Sequence, residues 1–349
     1  MAEKASTPVF TADAAEALMR RAITLSENGP ARDLNPQVGA VLLNASGDVI
    51  AEGWHRGAGT PHAEIDALSQ VTSEQARGGT LVVTLEPCNH TGRTGPCALA
   101  VIDAGIARLV YAATDPGHAS SGGADRLRAA GVEVISGVLE HAVTEHQHSW
   151  LTAARLGRPH VTLKWAMTLD GRAAAADGTS QWISGSVARA LVHEQRAAAE
   201  AIAVGTGTVL DDNPSLTARA ESGELHAHQP IPVIFGERPL ASDATIFTHP
   251  QTPVVLGHRD IARGLNELHE RGIRSLYVEG GPTLASAFVA AGMVDRFYVF
   301  ISPLLLGGPR LALGDLGVST LAERIDLDIQ NVTHLGSDLL IEATPRKDA

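Results

Sequence analysis

The chain has 349 residues, of which 44% are hydrophobic and 19% charged, and its formal net charge is −12. This length suits two domains, and the composition is that of a folded protein. Both halves carry more acidic than basic residues, which argues against binding a nucleic-acid backbone. No apolar run reaches the roughly 18–20 residues needed to cross a bilayer, and residues 1–11 lack the apolar core of a signal peptide. We therefore expect a cytoplasmic protein with neither a nucleic-acid nor a membrane partner.

The first half alternates between helical and strand patterns. The turn signal at residues 47 and 48 predicts a hairpin between its first two strands. Strand–helix alternation along the rest of this half predicts a largely parallel sheet with helices on its faces. The predicted helices span 13–26, a segment opened by Pro61, 97–104 and 123–130, and the predicted strands span 38–43, 49–53, 80–85, 109–113 and 132–135.

A change of pattern at 148–159, with Gly157 and Pro159 before a new apolar strand, marks the predicted domain boundary. We expect one domain over 1–150 and a second over 158–349, both of the α/β class. The second half predicts strands at 160–165, 201–204, 231–235, 252–256, 275–278 and 297–301, and helices at 186–200, 261–271 and 282–291.

Metal-ligand spacing is the clearest chemical signal in the first half. His62 and Glu64 form a His-x-Glu pair, and the only two cysteines of the chain, Cys88 and Cys97, follow it, each directly after a proline. This order is the signature of zinc deaminases that act on nucleobases. One imidazole and two thiolates leave the fourth tetrahedral position of Zn²⁺ for water, whose pKa the metal lowers. Glu64 then serves as the proton shuttle.

Simpler explanations exist for each of these residues taken alone. A single histidine is usually a hydrogen-bonded surface or core residue, and a single cysteine is usually a small buried apolar group. A purely structural zinc site normally has four protein ligands rather than three. The ordered combination therefore favours a catalytic zinc site.

Two glycine-rich turns stand out in the second half. The turn at 205–208 follows an apolar strand, and the turn at 278–283 ends in Pro282 at a position that suits a first helical turn. Such turns bring backbone N–H groups close to a phosphate. The first turn lacks the third glycine of a dinucleotide-binding fingerprint, so either turn is equally well explained as a plain tight turn.

The first half closely resembles the deaminase domain of the bifunctional riboflavin-biosynthesis deaminase/reductase family. The matching motifs are NPQVGAV at 35–41, GWH at 53–55, PHAE at 61–64 and TLEPCNHTGRTGPC at 84–97. This resemblance implies a cytidine-deaminase-like fold, with zinc held by His62, Cys88 and Cys97 and Glu64 as proton donor. It also implies that the substrate contacts include Asn35, His55 and His90.

The second half resembles the reductase domain of the same family. The matching motifs are RPHVTLK at 158–164, LDGR at 169–172, SQWIS at 180–184, VGTGTVLDDNPSLT at 204–217 and EGG at 279–281. This resemblance implies a dihydrofolate-reductase-like fold that uses NADPH. The implied NADPH contacts are Ala166, Trp182, Thr208, Asp212, Gly281, Pro282 and Thr283. The implied substrate contacts are Ser180, Arg196, Leu216, Arg219 and Glu279.

Hydride transfer needs positioning and charge stabilisation more than a nucleophile. We expect Lys164 and Asp212 to be the catalytic groups beside the reacting sugar carbon. The forked guanidinium groups of Arg196 and Arg219 suit the sugar 5-phosphate. Two positions depart from the family pattern, Glu200 where aspartate is common and Gly236 where aspartate often ends the strand.

The resemblance implies two consecutive reactions on phosphoribosylaminopyrimidine substrates, a hydrolytic deamination and an NADPH-dependent reduction of the ribosyl group, with Zn²⁺ and NADPH as cofactors and a homo-oligomeric assembly. Residue patterns alone do not distinguish NADPH from NADH. A polynucleotide deaminase would need a basic groove and has no use for residues 160–349. A zinc deaminase with a non-catalytic or decayed second domain, or a zinc-binding scaffold, would lack Glu64 or a reductase motif, and neither is missing.

Overall fold

A computed structural model describes residues 10–33, 35–90, 95–117 and 120–346. The chain divides into two compact units, Met1–Leu156 and Gly157–Ala349. The stretch in which the sequence places a boundary is in part a helix of the first unit, since residues His148–Leu156 are helical. No helix in the described part of the chain is long and apolar enough to cross a membrane.

The first unit is built on a five-stranded sheet. Its helices are α1 (Ala12–Ser26), α2 (Ala63–Leu68), α3 (Ser73–Ala76), α4 (Cys97–Asp103), α5 (Gly123–Ala129), α6 (Glu140–His146) and α7 (His148–Leu156), and its strands are β1 (Gly39–Leu43), β2 (Val49–Trp54), β3 (Thr80–Leu85), β4 (Arg108–Ala113) and β5 (Glu133–Ile135). The sheet order is β2-β1-β3-β4-β5. The pairs of β1 with β2 and β3 are antiparallel, whereas β3, β4 and β5 run parallel.

The expectation of a largely parallel first sheet is therefore only half met, because the hairpin strand β1 pairs in the antiparallel sense on both of its edges. Every residue of β1 and of β3 is buried, as expected for central strands covered on both faces. Helix α1 packs closely on this centre, since a Cβ at Gly39 would lie 2.0 Å from the carbonyl oxygen of Ala22. Only glycine permits this close approach.

The second unit is built on an eight-stranded sheet. Its strands are β6 (His160–Thr168), β7 (Ala201–Gly205), β8 (Ile231–Phe235), β9 (Val254–Val255), β10 (Ser275–Val278), β11 (Arg296–Ser302), β12 (Leu327–Leu335) and β13 (Asp338–Pro345), and its helices are α8 (Ser186–Ala198), α9 (Thr206–Asp212), α10 (Ile261–Glu270) and α11 (Pro282–Ala290). The order is β12-β13-β11-β6-β10-β7-β8-β9. All pairs from β11 to β9 are parallel, and the hairpin of β12 and β13 joins in the antiparallel sense.

A bidentate ion pair fastens the first strand of the second unit. The guanidinium of Arg158 donates to both carboxylate oxygens of Asp295, at 2.7 and 2.9 Å, and the backbone N–H of Val161 donates to the same carboxylate at 2.8 Å. Burial alone would raise the pKa of Asp295, but the hydrogen bond from Arg158 and the other neighbours outweigh it and lower that pKa. The pair therefore stabilises the fold as long as the carboxyl is ionised.

We expect Arg158→Met to destabilise the second unit by about 2–4 kcal/mol, because it leaves a largely buried carboxylate without its cation. The matched control is Arg324→Met, since Arg324 and its partner Asp326 are 55% and 40% exposed and an exposed pair contributes at most about 1 kcal/mol. Hydrogen exchange of peptides from 157–349 in increasing urea measures both variants.

The same comparison has a pH dependence with a definite sign. The folded-state pKa of Asp295 is lowered, so the contribution of the pair is present above the unfolded pKa and disappears as the pH falls through the folded value. The difference between wild type and Arg158→Met should therefore shrink in acid. Equal stability of the Arg158 and Arg324 variants at pH 7 would contradict this account.

Candidate active sites

Three metal-binding side chains of the first unit meet where strand β3 ends and two helices begin. His62 is the N-cap residue of α2, Cys88 follows β3, and Cys97 is the first residue of α4. From His62 Nδ1, the sulfur of Cys97 lies 3.2 Å away and that of Cys88 lies 3.6 Å away. All three ligand atoms lie within 4.8 Å of one another, and among the described residues no fourth protein ligand joins them.

The electrostatics of this cluster suit a metal cation. Hydrogen bonding from Cys97 and from His62 lowers the pKa of Cys88 to about 4 against the opposing effect of burial. The hydrogen bond to Cys88, burial and the nearby Glu64 carboxyl raise the pKa of Cys97. A thiolate is thus already favoured at one sulfur, and the backbone N–H of Cys97 donates to it at 3.5 Å. Three soft or borderline donors with an open side are the ligand set of a catalytic zinc ion.

Glu64 lies on the first turn of α2 and faces the same cavity, which has a volume of about 430 Å³. The residue is 4% exposed, and burial raises the pKa of its carboxyl. A raised pKa makes the Glu64 carboxylate a stronger base, as general acid–base catalysis requires. The cavity is lined by Asn35, Pro36, Val38, His55, Ala58, Gly59, Thr60, His62, Glu64, Leu85, Glu86, Cys88, His90, Asp115, Ser120 and Trp150.

Two of the expected substrate contacts are hydrogen-bonded to each other in this cavity. The Nδ1–H of His55 donates to the carbonyl oxygen of Pro61 at 2.9 Å, so its Nε2 accepts from the amide nitrogen of Asn35, 3.1 Å away. This arrangement leaves the Asn35 side-chain oxygen as an acceptor. His90 also lines the cavity, and its buried Nδ1 has no hydrogen-bond partner among the described residues. Residues 91–94, between the two cysteines, lie outside the described residues.

Glu86 has a structural role that the sequence does not reveal, although the residue lies inside the motif at 84–97. Its buried carboxylate accepts hydrogen bonds from the backbone N–H groups of Asp115, at 3.2 Å, and Ala124, at 3.0 Å. It therefore ties the end of β3, two residues before Cys88, to the segment after β4 and to α5. Asp115, Ser120 and Trp150 line the cavity as well, and no local motif distinguishes them in the sequence.

The second unit gathers three charged groups of low solvent exposure on one face of its sheet. Glu279 follows β10, Lys164 lies on the neighbouring strand β6, and Arg196 lies on α8. Glu279 forms an ion pair with Arg196, whose Nε donates at 3.2 Å, and its carboxylate lies 3.9 Å from the Lys164 ammonium. Burial lowers the pKa of Lys164, and Arg196 adds to this effect while Glu279 opposes it.

Two more of the expected substrate contacts lie next to this cluster. The Nη1 of Arg196 donates to the carbonyl oxygen of Thr217 at 3.1 Å, and the Nε of Arg219 donates to the hydroxyl of Thr217 at 2.9 Å. Leu216 is buried and has a φ of 54°, which is an uncommon conformation for this residue type. Ser180, in contrast, is exposed.

The two glycine-rich turns lie at helix N-termini and are joined to each other. Gly205 is the N-cap of α9 and Gly281 the N-cap of α11, and the N–H of Gly281 donates to the hydroxyl of Thr208 at 3.3 Å. A Cβ at Gly205 would meet nothing nearer than 3.9 Å, and one at Gly281 nothing nearer than 3.7 Å. Open backbone at two adjacent helix N-termini fits a dinucleotide phosphate bridge.

The remaining expected cofactor contacts are spread around this region. Pro282 and Thr283 form the first turn of α11, and Ala166 is half-buried on β6. Trp182 is 69% exposed, and the guanidinium of Arg189 lies 4.6 Å from the centre of one of its rings. Exposed aromatic surface of this size is available for a ligand.

Asp212 and Lys164 are placed differently by the structure. Lys164 is largely enclosed beside Glu279, with a side chain that is 17% exposed, whereas Asp212 is exposed in the last turn of α9. No hydrogen bond or ion pair among the described residues joins Asp212 to that cluster. The residue is exposed as a whole, but partial desolvation of its carboxyl and then the neighbouring Asp211 raise the pKa of Asp212. Its catalytic role stays a prediction.

The two departures from the family pattern have physical explanations. Gly236 has a φ of 124°, and a Cβ there would lie 2.5 Å from the hydroxyl oxygen of Thr206, so the observed backbone excludes aspartate. The Glu200 carboxylate accepts hydrogen bonds from the backbone N–H groups of Arg274 and Ser275, which fastens β7 to the start of β10. Neither position contributes a group to the charged cluster.

Comparison with known proteins identifies both units. Residues 12–113 match the cytidine and deoxycytidylate deaminase zinc-binding region, and residues 159–341 match the RibD C-terminal domain. The chain is 43% identical to the riboflavin biosynthesis protein RibD of Mycobacterium tuberculosis, with 89% of this chain and 91% of that protein covered. This chain belongs to the RibD family. The expected cytidine-deaminase-like and dihydrofolate-reductase-like folds are thereby confirmed.

Other RibD proteins extend the match over nearly the whole length. The RibD protein of Escherichia coli is 36% identical, with 93% of this chain and 98% of that protein covered. A RibD structure from Acinetobacter baumannii superposes with a TM-score of 0.83 at 34% identity, covering 97% of this chain and 100% of that one. A structure from Thermotoga maritima, described as a diaminohydroxyphosphoribosylaminopyrimidine deaminase/5-amino-6-(5-phosphoribosylamino)uracil reductase, has a TM-score of 0.81 at 34% identity, with 96% and 99% covered.

The donor set leads to a prediction about metal content. We expect the purified chain to hold one zinc ion, and Cys88→Ser to lower the affinity for zinc by at least about tenfold, because a hydroxyl replaces a thiolate ligand. Elemental analysis after dialysis against a mild chelator measures this. Glu64→Gln is the control, since Glu64 lies outside the donor set, and it should retain the metal. Unchanged zinc content in Cys88→Ser would exclude this donor set.

Proposed function

We propose that this chain catalyses two consecutive steps of riboflavin biosynthesis. The first is hydrolysis of 2,5-diamino-6-(5-phosphoribosylamino)pyrimidin-4-one to 5-amino-6-(5-phosphoribosylamino)uracil and ammonia. The second is NADPH-dependent reduction of the ribosyl group of that product to a ribityl chain. The observation that carries the proposal is that each unit of this RibD-family chain gathers a cluster of ionisable side chains suited to its reaction.

The deaminase proposal assigns a task to each polar group of the first cavity. Zinc, held by His62, Cys88 and Cys97, supplies Lewis acidity that lowers the pKa of a coordinated water. Glu64 takes a proton from the attacking water and delivers it to the exocyclic nitrogen, which leaves as ammonia. Its burial supports this role, because a raised pKa makes the Glu64 carboxylate a stronger base towards the proton of water than an exposed carboxylate is.

Recognition of the pyrimidine falls to the neutral groups of the same cavity. Because His55 is fixed by Pro61 and holds the Asn35 amide nitrogen, the Asn35 oxygen is oriented to accept from a ring N–H or amino group. The unpartnered Nδ1 of His90 provides a further hydrogen-bonding atom. A pre-oriented amide discriminates between pyrimidines at little entropic cost.

The reductase proposal places the sugar beside the buried charged cluster. NADPH, when bound at the glycine-rich turns, would supply the hydride that reduces C1 of the sugar. We assign to Lys164 the orientation of the sugar and the relay of a proton, which its burial and lowered pKa support. Glu279 fixes the ammonium of Lys164 and the guanidinium of Arg196 in place. A non-catalytic second unit is not favoured, because a decayed site would not retain three buried charges that are costly without a task.

The charge balance of the chain bears on its binding partners. Both halves are acidic, which supports small anionic metabolites bound in enclosed sites rather than a nucleic acid bound on a basic face. We propose a cytoplasmic location and a homo-oligomeric assembly for the enzyme. Size-exclusion chromatography with light scattering tests the assembly.

Glu64→Gln tests the proton shuttle. The substitution keeps the size and hydrogen-bonding capacity of the side chain but removes its proton transfer, so we expect the deamination rate to fall by about 10²–10⁴-fold with zinc retained. Ammonia release from the diaminopyrimidine substrate measures the rate. A variant within about threefold of wild type would rule out this role for Glu64.

The two chemistries should be separable by mutation. We expect Glu64→Gln to keep reduction of supplied deaminated substrate, and Lys164→Met, which keeps the length of the side chain without its charge, to release ammonia normally while reduction falls at least about tenfold. Ammonia release and NADPH oxidation, followed separately, measure the two steps. Loss of reduction in folded Glu64→Gln protein would contradict two independent sites.

A further inference from the structure

A short segment after α9 is held in place by side chains rather than by strand pairing alone. The carbonyl oxygen of Thr217 accepts from Arg196 at 3.1 Å. The N–H and the carbonyl oxygen of Ala218 are bonded to the side-chain amide of Gln229, at 2.9 and 2.8 Å. Such anchoring removes the conformational freedom that a surface loop normally has. The Thr217–Arg219 segment is therefore a rigid element next to the buried charged cluster.

The third anchor of this segment is His193. It lies one turn before Arg196 on α8, so both side chains leave the same face of the helix. The backbone N–H of Arg219 donates to His193 Nδ1 at 3.2 Å. Nδ1 must lack a proton to accept this bond, and the imidazole is then neutral with its proton on Nε2.

Arg219 differs from Arg196 in how its charge is balanced. Arg196 is neutralised by the buried carboxylate of Glu279. The guanidinium of Arg219 donates only to neutral oxygens, the Thr217 hydroxyl at 2.9 Å and the Gly223 carbonyl at 3.2 Å. Among the described residues, no carboxylate lies within ion-pair distance of it. Arg219 is thus an oriented cation that retains its full charge for an anionic ligand.

We propose that His193 is a positioning residue of the reductase reaction, which fixes the backbone of Arg219 so that its guanidinium meets the phosphate of the phosphoribosyl substrate. This inference rests on the function proposed above and adds to it the means by which the phosphate is held. His193 touches neither the substrate nor the cofactor in this account, so its loss should raise KM for the substrate and leave the chemical step nearly unchanged.

The surroundings of His193 support the neutral form that the proposal needs. Burial lowers the pKa of His193, and the positive charges of Arg196 and Arg219 lower it further, while the carboxylate of Glu279 and the carbonyl of Thr217 oppose them. The imidazole is therefore neutral at pH 7. Protonation in acid would place an N–H against the N–H of Arg219 and abolish the bond.

Two variants of His193 separate positioning from a merely structural role. Phenylalanine keeps a ring but provides no acceptor, whereas the side-chain oxygen of asparagine can replace Nδ1 as an acceptor and does not titrate. We expect His193→Phe to raise KM for 5-amino-6-(5-phosphoribosylamino)uracil about three- to tenfold, with kcat and the KM for NADPH within about twofold of wild type. His193→Asn should restore KM.

The pH profile provides the second readout. As the pH falls below the ordinary histidine pKa of about 6.5 towards the lowered value in the fold, KM of wild type should rise relative to that of His193→Asn at each pH. Taking this ratio cancels the titration of the substrate phosphate itself. The control is His228→Asn, because His228 is exposed nearby and makes no hydrogen bond among the described residues. It should follow the wild-type profile.

The outcomes distinguish this inference from the proposed function. If wild type reduces the substrate but His193→Phe and His193→Asn both keep the wild-type KM at every pH, the positioning role is wrong and the reductase activity stands. If wild type does not reduce the substrate at all, the proposed function fails first. Should His193→Phe not fold, the pH-dependent ratio of wild type to His193→Asn decides alone, and a flat ratio overturns the proposal.

Discussion

Both units enclose ionisable side chains, and a charge that loses its hydration on folding is costly unless a partner inside the protein compensates it. In the second unit a single carboxylate, Glu279, meets this requirement for the two cations Lys164 and Arg196 at once. That one interaction joins strand β6, the end of β10 and helix α8. The chemistry and the packing of this face of the sheet therefore cannot be altered separately.

The first unit satisfies the same constraint in a different way. Its thiols lie where backbone N–H groups are available at the start of α4, and two of its buried carboxyls, Glu86 and Glu64, lie in contrasting environments. Glu86 accepts two backbone hydrogen bonds and so holds the end of β3 to neighbouring segments. Glu64 is buried in surroundings that make its ionisation unfavourable and favour its protonated form. The local environment thus distinguishes the structural carboxylate, Glu86, from the carboxyl proposed to transfer protons, Glu64.

Sequence patterns predicted what is encoded locally. The zinc donors and Glu64 occur in short motifs, and most buried strands are continuous apolar runs, so both were identified without a structure. The hairpin of β12 and β13 was missed because its outer strand is half exposed and mixes polar with apolar residues. The two partners of Glu86 lie 29 and 38 residues away in the chain and the partner of His193 lies 26 residues away, and no residue pattern links such distant groups. The antiparallel pairing of β1 with β3 was missed for the same reason.

The position of Arg158 determines where the second unit can be cut from the chain. The region that matches the RibD C-terminal domain spans 159–341, but the guanidinium that fastens β6 belongs to the residue just before it. Strand β13 continues to Pro345, and its residues from Glu342 onward still pair with β11 and β12. A reductase fragment limited to 159–341 would lose the ion pair of Arg158 with Asp295 and the last strand pairs of β13. A usable fragment therefore begins at Gly157 and retains residues up to 346.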